Sequence, residues 1–110
     1  MKTFKEYEEA MSWTAIYPNA GKNIIYPTLG LCGESGEFAE KIKKVIRDSH
    51  NEISMELREL LILELGDVLW YLSALCKELD TDLETVAEAN IEKLYSRKDR
   101  DMLGGSGDQR

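Results

Sequence analysis

Histidine, cysteine and proline are scarce in this chain, and each shortage removes a class of site or fold. The single histidine, His50, cannot supply the paired Glu-x-x-His ligands of di-iron helical bundles. The separation of the two cysteines, Cys32 and Cys76, matches no zinc pattern, so both are expected to be reduced thiols used in packing. The two prolines, Pro18 and Pro27, bound one short stretch that is predicted to be a loop.

The chain also lacks an excess of positive charge and a long apolar run. Its formal net charge is −7, which argues against a binder of nucleic acid polymers but not against a free nucleotide whose phosphates arrive with metal ions. No apolar run approaches the ~20 residues of a membrane span, and the N-terminus, MKTFKEYEEAM, has no apolar core of a signal peptide. A cytoplasmic protein without a membrane partner is therefore expected.

Four segments of the 110-residue chain have the apolar periodicity of amphipathic helices. Two of them begin with a capping box, in which a threonine is followed three residues later by a glutamate: Thr3 with Glu6, and Thr81 with Glu84. The sequence therefore predicts an all-α, four-helix, bundle-like domain over residues 1–97. The predicted helices cover residues 3–17, 28–47, 55–79 and 81–97.

Glycine is concentrated in the second predicted helix and at the end of the chain. Gly30, Gly33 and Gly36 recur at three-residue spacing and leave little bulk along one strip, which predicts close helix packing or room for a ligand. Residues 98–110 form a polar, glycine-rich tail, which is expected to be mobile unless a ligand or partner orders it.

The most apolar predicted helix contains two acids in an unexpected setting. Residues 61–75 read LILELGDVLWYLSAL, in which Glu64 and Asp67 are three positions apart and therefore share one face. An ionised carboxylate facing an apolar interior costs several kcal/mol unless it is compensated. Two like charges at close range resist joint ionisation, so a positive partner is required.

A second acid pair lies on the preceding helix. Glu34 and Glu37 are also three apart, and antiparallel packing of the two helices would bring four carboxylates together. Lys41 and Lys44 follow on roughly the same side but cannot neutralise four acids from one end. A divalent ion can, and ligation by oxygen alone favours Mg²⁺ or Mn²⁺. The alternative is a solvated acidic face, with Glu37 and Lys41 as a surface ion pair; apolar neighbours make this alternative weaker for the second pair.

These residues form a pattern that resembles the MazG-like superfamily of all-α nucleoside triphosphate pyrophosphohydrolases. Glu34-x-x-Glu37 is followed after 26 residues by Glu64-x-x-Asp67. The segments LGLCGESGEFAEKIKK, ELGDVLWYL, ANIEKLYSR and GGSGDQR are also similar to compact, single-domain members from bacteria and phages. Gly33 stands where many members have an additional acid.

The resemblance implies hydrolysis of a nucleoside triphosphate between its α and β phosphates, giving a monophosphate and pyrophosphate. It also implies Mg²⁺, with Mn²⁺ as a substitute, and a homo-oligomer, dimer or tetramer, in which chains share parts of the site. The implied metal ligands are Glu34, Glu37, Glu64 and Asp67. We expect metal-activated water to attack the α-phosphate, with Glu34 or Glu37 as the general base, because no serine, cysteine or histidine is placed as a covalent nucleophile.

The predicted substrate contacts are mainly cations on the fourth helix. Asn90, Lys93 and Arg97 share one face and could reach ribose and phosphates, although such a trio is more often plain surface. The base needs an aromatic platform, for which Trp13 is preferred over Tyr17, Trp70 and Tyr71. Further phosphate candidates are Lys44 and, if the tail closes over substrate, Lys98 and Arg110.

The leading hypothesis is therefore a Mg²⁺-dependent pyrophosphohydrolase that clears noncanonical or surplus deoxynucleotides. One alternative is an enzyme acting on phosphoribosyl-ATP, whose own motifs are not evident here. Another is a non-catalytic helical interaction module, which would be expected to lack one or more of the four carboxylates.

Overall fold

The computed structural model describes residues 3–108, and this part of the chain contains four α-helices and no strand. The prediction of an all-α fold is confirmed. The helices are α1 (Phe4–Ser12), α2 (Ile25–Asp48), α3 (Met55–Glu78) and α4 (Leu83–Asp99).

Side chains that cap the backbone explain where three of the helices begin. Thr3 Oγ1 accepts a hydrogen bond from Glu6 N at 3.1 Å, as the capping-box prediction requires. Ser54 Oγ accepts from Leu57 N in the same way before α3. The predicted Thr81 cap is wrong, because Asp82 Oδ1 caps α4 by accepting from Thr85 N at 2.7 Å.

Helix bounds differ from the prediction mainly around the first loop. The first helix ends at Ser12 rather than at residue 17, and Thr14 and Ala15 turn the chain with hydrogen bonds back to Met11 and Ser12. The second helix begins earlier than predicted, because a proline in the first turn needs no N–H partner and Pro27 is therefore tolerated there. The last helix continues to Asp99, so the predicted tail begins with a helical turn.

Helices α2 and α3 form an antiparallel hairpin that carries most of the packing. Gly30 near the start of α2 meets Tyr71 in the second half of α3, whereas Lys41 farther along α2 meets Glu64 in the first half of α3. Helix α4 packs on α1 and α3, and it makes no contact with α2 within residues 3–108. The buried apolar side chains of residues 3–108 are few: Met11, Pro27, Val45, Leu61, Ala74, Cys76 and Leu83.

One of the three glycines in α2 has a close neighbour. A Cβ on Gly30 would overlap the ring of Tyr71, whereas Gly33 and Gly36 face open space within 4 Å. Close packing is therefore confirmed at the first glycine, and room for a further group exists at the other two.

Replacing Gly30 by alanine should destabilise the protein, by about 1–3 kcal/mol, because the Tyr71 ring must move from its packed position. Gly33→Ala is the matched control on the same helix. It should be neutral or stabilising by up to about 1 kcal/mol, since alanine favours the helix and meets no atom there. Urea unfolding of both variants measures the difference, and equal midpoints would contradict it.

Much apolar surface of the single chain is exposed. Ile25, Leu29 and Leu63 are each more than two-thirds exposed on the hairpin, and the radius of gyration is 16.9 Å. A compact domain of this length would have a radius of gyration of about 13 Å. None of the helices in residues 3–108 is long and apolar enough to cross a membrane.

Candidate functional site

Three of the four predicted ligand carboxylates meet across the α2–α3 hairpin. Glu34, Glu37 and Glu64 each place one oxygen so that the three oxygens lie within 4.8 Å of one another. Their residue spacing explains the meeting, because helical positions three apart point the same way and the antiparallel helix presents its own acid opposite them. The structure thus brings together acids that lie far apart in sequence.

One cation compensates part of this negative charge. Lys41 Nζ contacts Glu64 Oε1 at 2.8 Å, and the ion pair is largely shielded from solvent on the glutamate side, which is 13% exposed. The hydrogen bond from Lys41 lowers the pKa of Glu64, and the pKa of Lys41 is raised in return. Lys41 therefore orients one oxygen of Glu64, whereas the other, Oε2, receives no hydrogen bond from residues 3–108.

The remaining acids are not compensated in the same way. Burial, and then the charge of Glu37, raise the pKa of Glu34 to about 7, and its contacts with Glu64 and Glu37 add to the effect. Glu34 Oε2 and Glu64 Oε2 are buried, and no N–H or hydroxyl of residues 3–108 donates to them. Buried carboxylate oxygens that receive no hydrogen bond are suitable ligands for a divalent ion. The oxygen ligands available at this site therefore fit such an ion.

Asp67 lies beside this trio rather than in it. Its side chain is exposed, and its charge contributes to the raised pKa of Glu34 and, after burial, to the raised pKa of Tyr7. Asp67 and Glu34 share a cavity of about 280 Å³ with Trp70 and Tyr71. Its predicted role as a metal ligand stays a prediction.

The cavity has an aromatic wall built by neighbouring residues of α3. The rings of Trp70 and Tyr71 are 5.1 Å apart and nearly perpendicular, at 79°. Thr14 Oγ1 accepts a hydrogen bond from Trp70 Nε1 at 2.7 Å, and Gly30 leaves the space that Tyr71 fills. Of the four aromatic residues considered for the base, these two line the cavity that contains the acids. Trp13, the preferred candidate, is 86% exposed just after α1 and does not line it, so its role stays a prediction.

The α1–α2 loop, residues 13–24, is fixed to the end of α3 by an acid that the sequence analysis did not single out. Glu78 accepts hydrogen bonds from the Tyr17 hydroxyl and from two backbone N–H groups of the loop. These bonds lower the pKa of Glu78, while burial and Glu78 raise the pKa of Tyr17 to about 12. Sequence spacing could have pointed to Glu78, because this residue lies on the same face of α3 as Glu64, Asp67 and Tyr71.

The predicted substrate contacts on α4 lie away from this cavity in the single chain. Arg97 is buried, with 4% exposure, and its Nη2 donates to Asp108 O at 2.8 Å. Lys93 Nζ pairs with Asp108 Oδ1 at 3.1 Å, so the tail lies against α4 and contacts both cations, although Arg97 Nε is buried without an acceptor among residues 3–108. Asn90 is exposed on the same helix. None of the three lines the cavity among residues 3–108, and their contact with substrate stays a prediction.

Two further predicted phosphate contacts, Lys44 and Lys98, do not line the cavity. Lys44 is exposed on α2, and Lys98 is exposed in the last turn of α4. Arg110 lies outside the described residues. Glu40, which continues the three-residue series of α2 acids, pairs with Lys43 at 2.9 Å on the surface.

Comparisons with known proteins agree with this geometry. A family model described as MazG nucleotide pyrophosphohydrolase domain matches residues 27–101, a range that contains all four carboxylates. The chain is also 50% identical over 109 residues to the Gene 37 protein of Mycobacterium phage L5, covering 94% of this chain and 96% of that protein. No solved structure matches.

Proposed function

Because the chain belongs to the family of MazG nucleotide pyrophosphohydrolase domains, we propose that it hydrolyses (deoxy)nucleoside triphosphates between the α and β phosphates. The products are then a monophosphate and pyrophosphate. The observation that carries this proposal is the convergence of Glu34, Glu37 and Glu64, with two donorless buried oxygens, beside a cavity with an aromatic wall. Such a site can hold a divalent ion and receive a planar base.

The four carboxylates are the groups that would hold Mg²⁺, or Mn²⁺ in its place. A divalent ion bound there supplies charge neutralisation for the phosphates and lowers the pKa of a water molecule. Lys41 keeps one oxygen of Glu64 fixed, and the other oxygen, which is buried without a donor among residues 3–108, is available to bind the ion. Glu34 or Glu37 acts as the general base that accepts the proton of this water molecule.

The cations of α4 complete the site from a second subunit in this proposal. One chain alone leaves Lys93 and Arg97 outside the cavity and leaves large apolar side chains of the hairpin exposed. Association of two or four copies would cover apolar surface of the kind that monomers rarely expose. It would also let α4 of one subunit approach the carboxylates of another.

Product analysis tests the reaction. The purified protein is incubated with Mg²⁺ and each of the common ribo- and deoxynucleoside triphosphates, and the products are separated by chromatography. Monophosphate with pyrophosphate is the expected result. Diphosphate with phosphate would refute the assigned bond, and turnover of phosphoribosyl-ATP alone would favour that alternative. Absence of turnover with every substrate, in a protein that still binds Mn²⁺, would favour a non-catalytic module.

A mixed-oligomer experiment tests the shared site. Glu34→Gln and Lys93→Ala are each expected to be almost inactive as pure proteins, because one lacks a ligand and the other a phosphate contact. Co-refolding equal amounts should restore roughly a quarter of wild-type activity, since half of the pairs are mixed and each has one intact site. Light scattering reports the mass of each sample. If the mixture were as inactive as the two pure variants, either all site residues would lie in one chain, or the role assigned to Glu34 or to Lys93 would be wrong.

A further inference from the structure

The carboxylate of Glu78 organises the α1–α2 loop through three hydrogen bonds. Its Oε1 accepts from Tyr17 Oη at 2.6 Å and from Gly21 N at 2.8 Å, and its Oε2 accepts from Asn23 N at 3.1 Å. Glu78 is the last residue of α3, and its partners lie more than 50 positions earlier in the chain. A single side chain thus joins the loop to the helix that carries the aromatic wall.

The loop is folded around this carboxylate rather than merely touching it. Asn23 Nδ2 donates to Pro18 O at 2.8 Å, and Asn23 Oδ1 accepts from Tyr26 N at 3.1 Å, which closes the loop and satisfies one backbone N–H in the first turn of α2. Gly21 has a φ of +94°, a conformation that side chains rarely adopt. Loss of Glu78 would leave the two backbone N–H groups that point at it without their acceptor.

A continuous series of ring contacts runs from the loop to the cavity. The Tyr17 ring stacks on Tyr26 with centroids 4.9 Å apart and an angle of 9° between planes. Its other neighbour is Trp70, whose ring lies edge-on at 6.3 Å, and Trp70 in turn contacts Tyr71. The last two residues line the cavity with Glu34 and Asp67. The position of Tyr17 therefore restricts the position of the wall.

We propose that Glu78 is a positioning residue for the nucleobase, because it holds Tyr17 and, through it, the Trp70–Tyr71 wall in the orientation that receives the base. This inference rests on the proposed function. Glu78 does not line the cavity and touches neither the base nor the phosphates; its effect is confined to the half of the substrate that lies against the wall. The binding of pyrophosphate, which has no base, should therefore not depend on Glu78.

The test compares substrates with and without a base. The kcat and KM of Glu78→Ala are measured for dATP, dCTP, dGTP and dTTP, together with the inhibition constant of inorganic pyrophosphate and the Kd of Mn²⁺. We expect KM for the best substrate to rise about tenfold while kcat changes less than about threefold. The pyrophosphate inhibition constant and the Mn²⁺ affinity should stay within about twofold, and preferences among the four bases should shrink. Glu59→Ala, which removes an exposed acid from the same helix, should match wild type.

Two conservative variants keep the test decisive if Glu78→Ala folds poorly. Glu78→Gln retains the Oε1 acceptor for Tyr17 and should raise KM less than about threefold. Tyr17→Phe removes the hydroxyl that donates to Glu78 and keeps the ring, so it should raise KM more than Glu78→Gln does and leave the pyrophosphate inhibition constant unchanged; an unchanged KM would contradict the inference. An unchanged KM in Glu78→Ala, or a parallel rise in KM and in the pyrophosphate inhibition constant, would overturn the inference.

Near-ultraviolet circular dichroism without ligand separates this inference from the proposed function. Glu78→Ala should change the aromatic signal of the Tyr17–Trp70 cluster while the helical signal in the far ultraviolet is kept. An unchanged aromatic signal refutes the link between Glu78 and the wall. Inactivity of the wild type with every triphosphate refutes the proposed function instead, whatever the spectrum of the variant.

Discussion

Glu34→Gln is expected to lower kcat/KM by at least about 100-fold, because it removes a proposed metal ligand, and loss of groups that merely support ligands already costs about 10–100-fold. The amide fills the same volume, so the helix hairpin should remain intact. Its oxygen is a weaker ligand for a hard cation than a carboxylate, and its nitrogen repels the cation. Initial rates at saturating Mg²⁺, together with the Kd of Mn²⁺, measure the loss.

The same variant should show an opposite effect on the stability of the metal-free protein. The folded-state pKa of Glu34 is raised to about 7, so the folded chain favours the neutral form that glutamine imitates. Above pH 7 the Glu34 carboxylate of the wild type is ionised beside Glu37 and Glu64, and these negative charges repel one another. A glutamine at position 34 carries no charge and avoids this repulsion. At pH 8 with a chelator present, Glu34→Gln should therefore unfold at a higher temperature than wild type. The difference should shrink as the pH falls below 7 and disappear below about pH 4.5, the ordinary pKa of a glutamate, where Glu34 is protonated in both states.

Glu40→Gln is the matched control for both effects. Glu40 lies on the same helix and continues the three-residue series, but its carboxylate pairs with Lys43 on the surface, outside the carboxylate trio. Its activity, Mn²⁺ affinity and metal-free stability should resemble those of wild type. If Glu34→Gln and Glu40→Gln lowered activity equally, the overall negative charge of α2, rather than a defined set of metal ligands, would support activity.

The carboxylate site was largely predictable because helical periodicity converts sequence spacing into geometry. Residues three apart share a face, so two acid pairs and one assumption, antiparallel packing, were sufficient to predict that Glu34, Glu37 and Glu64 meet. The same rule did not separate Asp67 from the trio, because small differences of rotation around α3 decide which oxygen reaches the cluster. A one-dimensional pattern does not specify such rotations.

The aromatic wall and the loop were less predictable, since they depend on contacts between distant residues. Trp70 and Tyr71 line the cavity because Gly30 on the neighbouring helix leaves room for the Tyr71 ring and Thr14 fixes the Trp70 indole. Helix α1 ends early although no strong breaker stands at Ser12, and the Thr14 hydroxyl donates to Met11 O at that end. Spacing along each helix indicates which residues share a face, but it does not specify which distant residue each of them contacts.

The affinity for a divalent ion is expected to depend steeply on pH, falling about 100-fold between pH 8 and pH 5. A bound ion requires an ionised Glu34, and the pKa of that carboxyl is about 7 in the metal-free chain because burial and the charge of Glu37 favour its proton. Below pH 7 the proton therefore competes with the ion, and affinity falls about tenfold per pH unit. Above pH 7 the competition ends and affinity levels off.

Calorimetric titration with Mn²⁺ in buffers of different ionisation enthalpy measures both affinity and proton release. About one proton per ion should be released at pH 6 and almost none at pH 8. Lys41→Met should move the midpoint to higher pH, because Lys41 is the cation that pairs with Glu64 and interacts with Glu34 and Glu37. Lys43→Met removes an equal charge from the same helix, but from the Glu40 pair, and should leave the midpoint in place. If affinity were flat from pH 5 to pH 8, the ion would have to bind without displacing a proton, and Glu34 could not be both a ligand and the group that carries that proton.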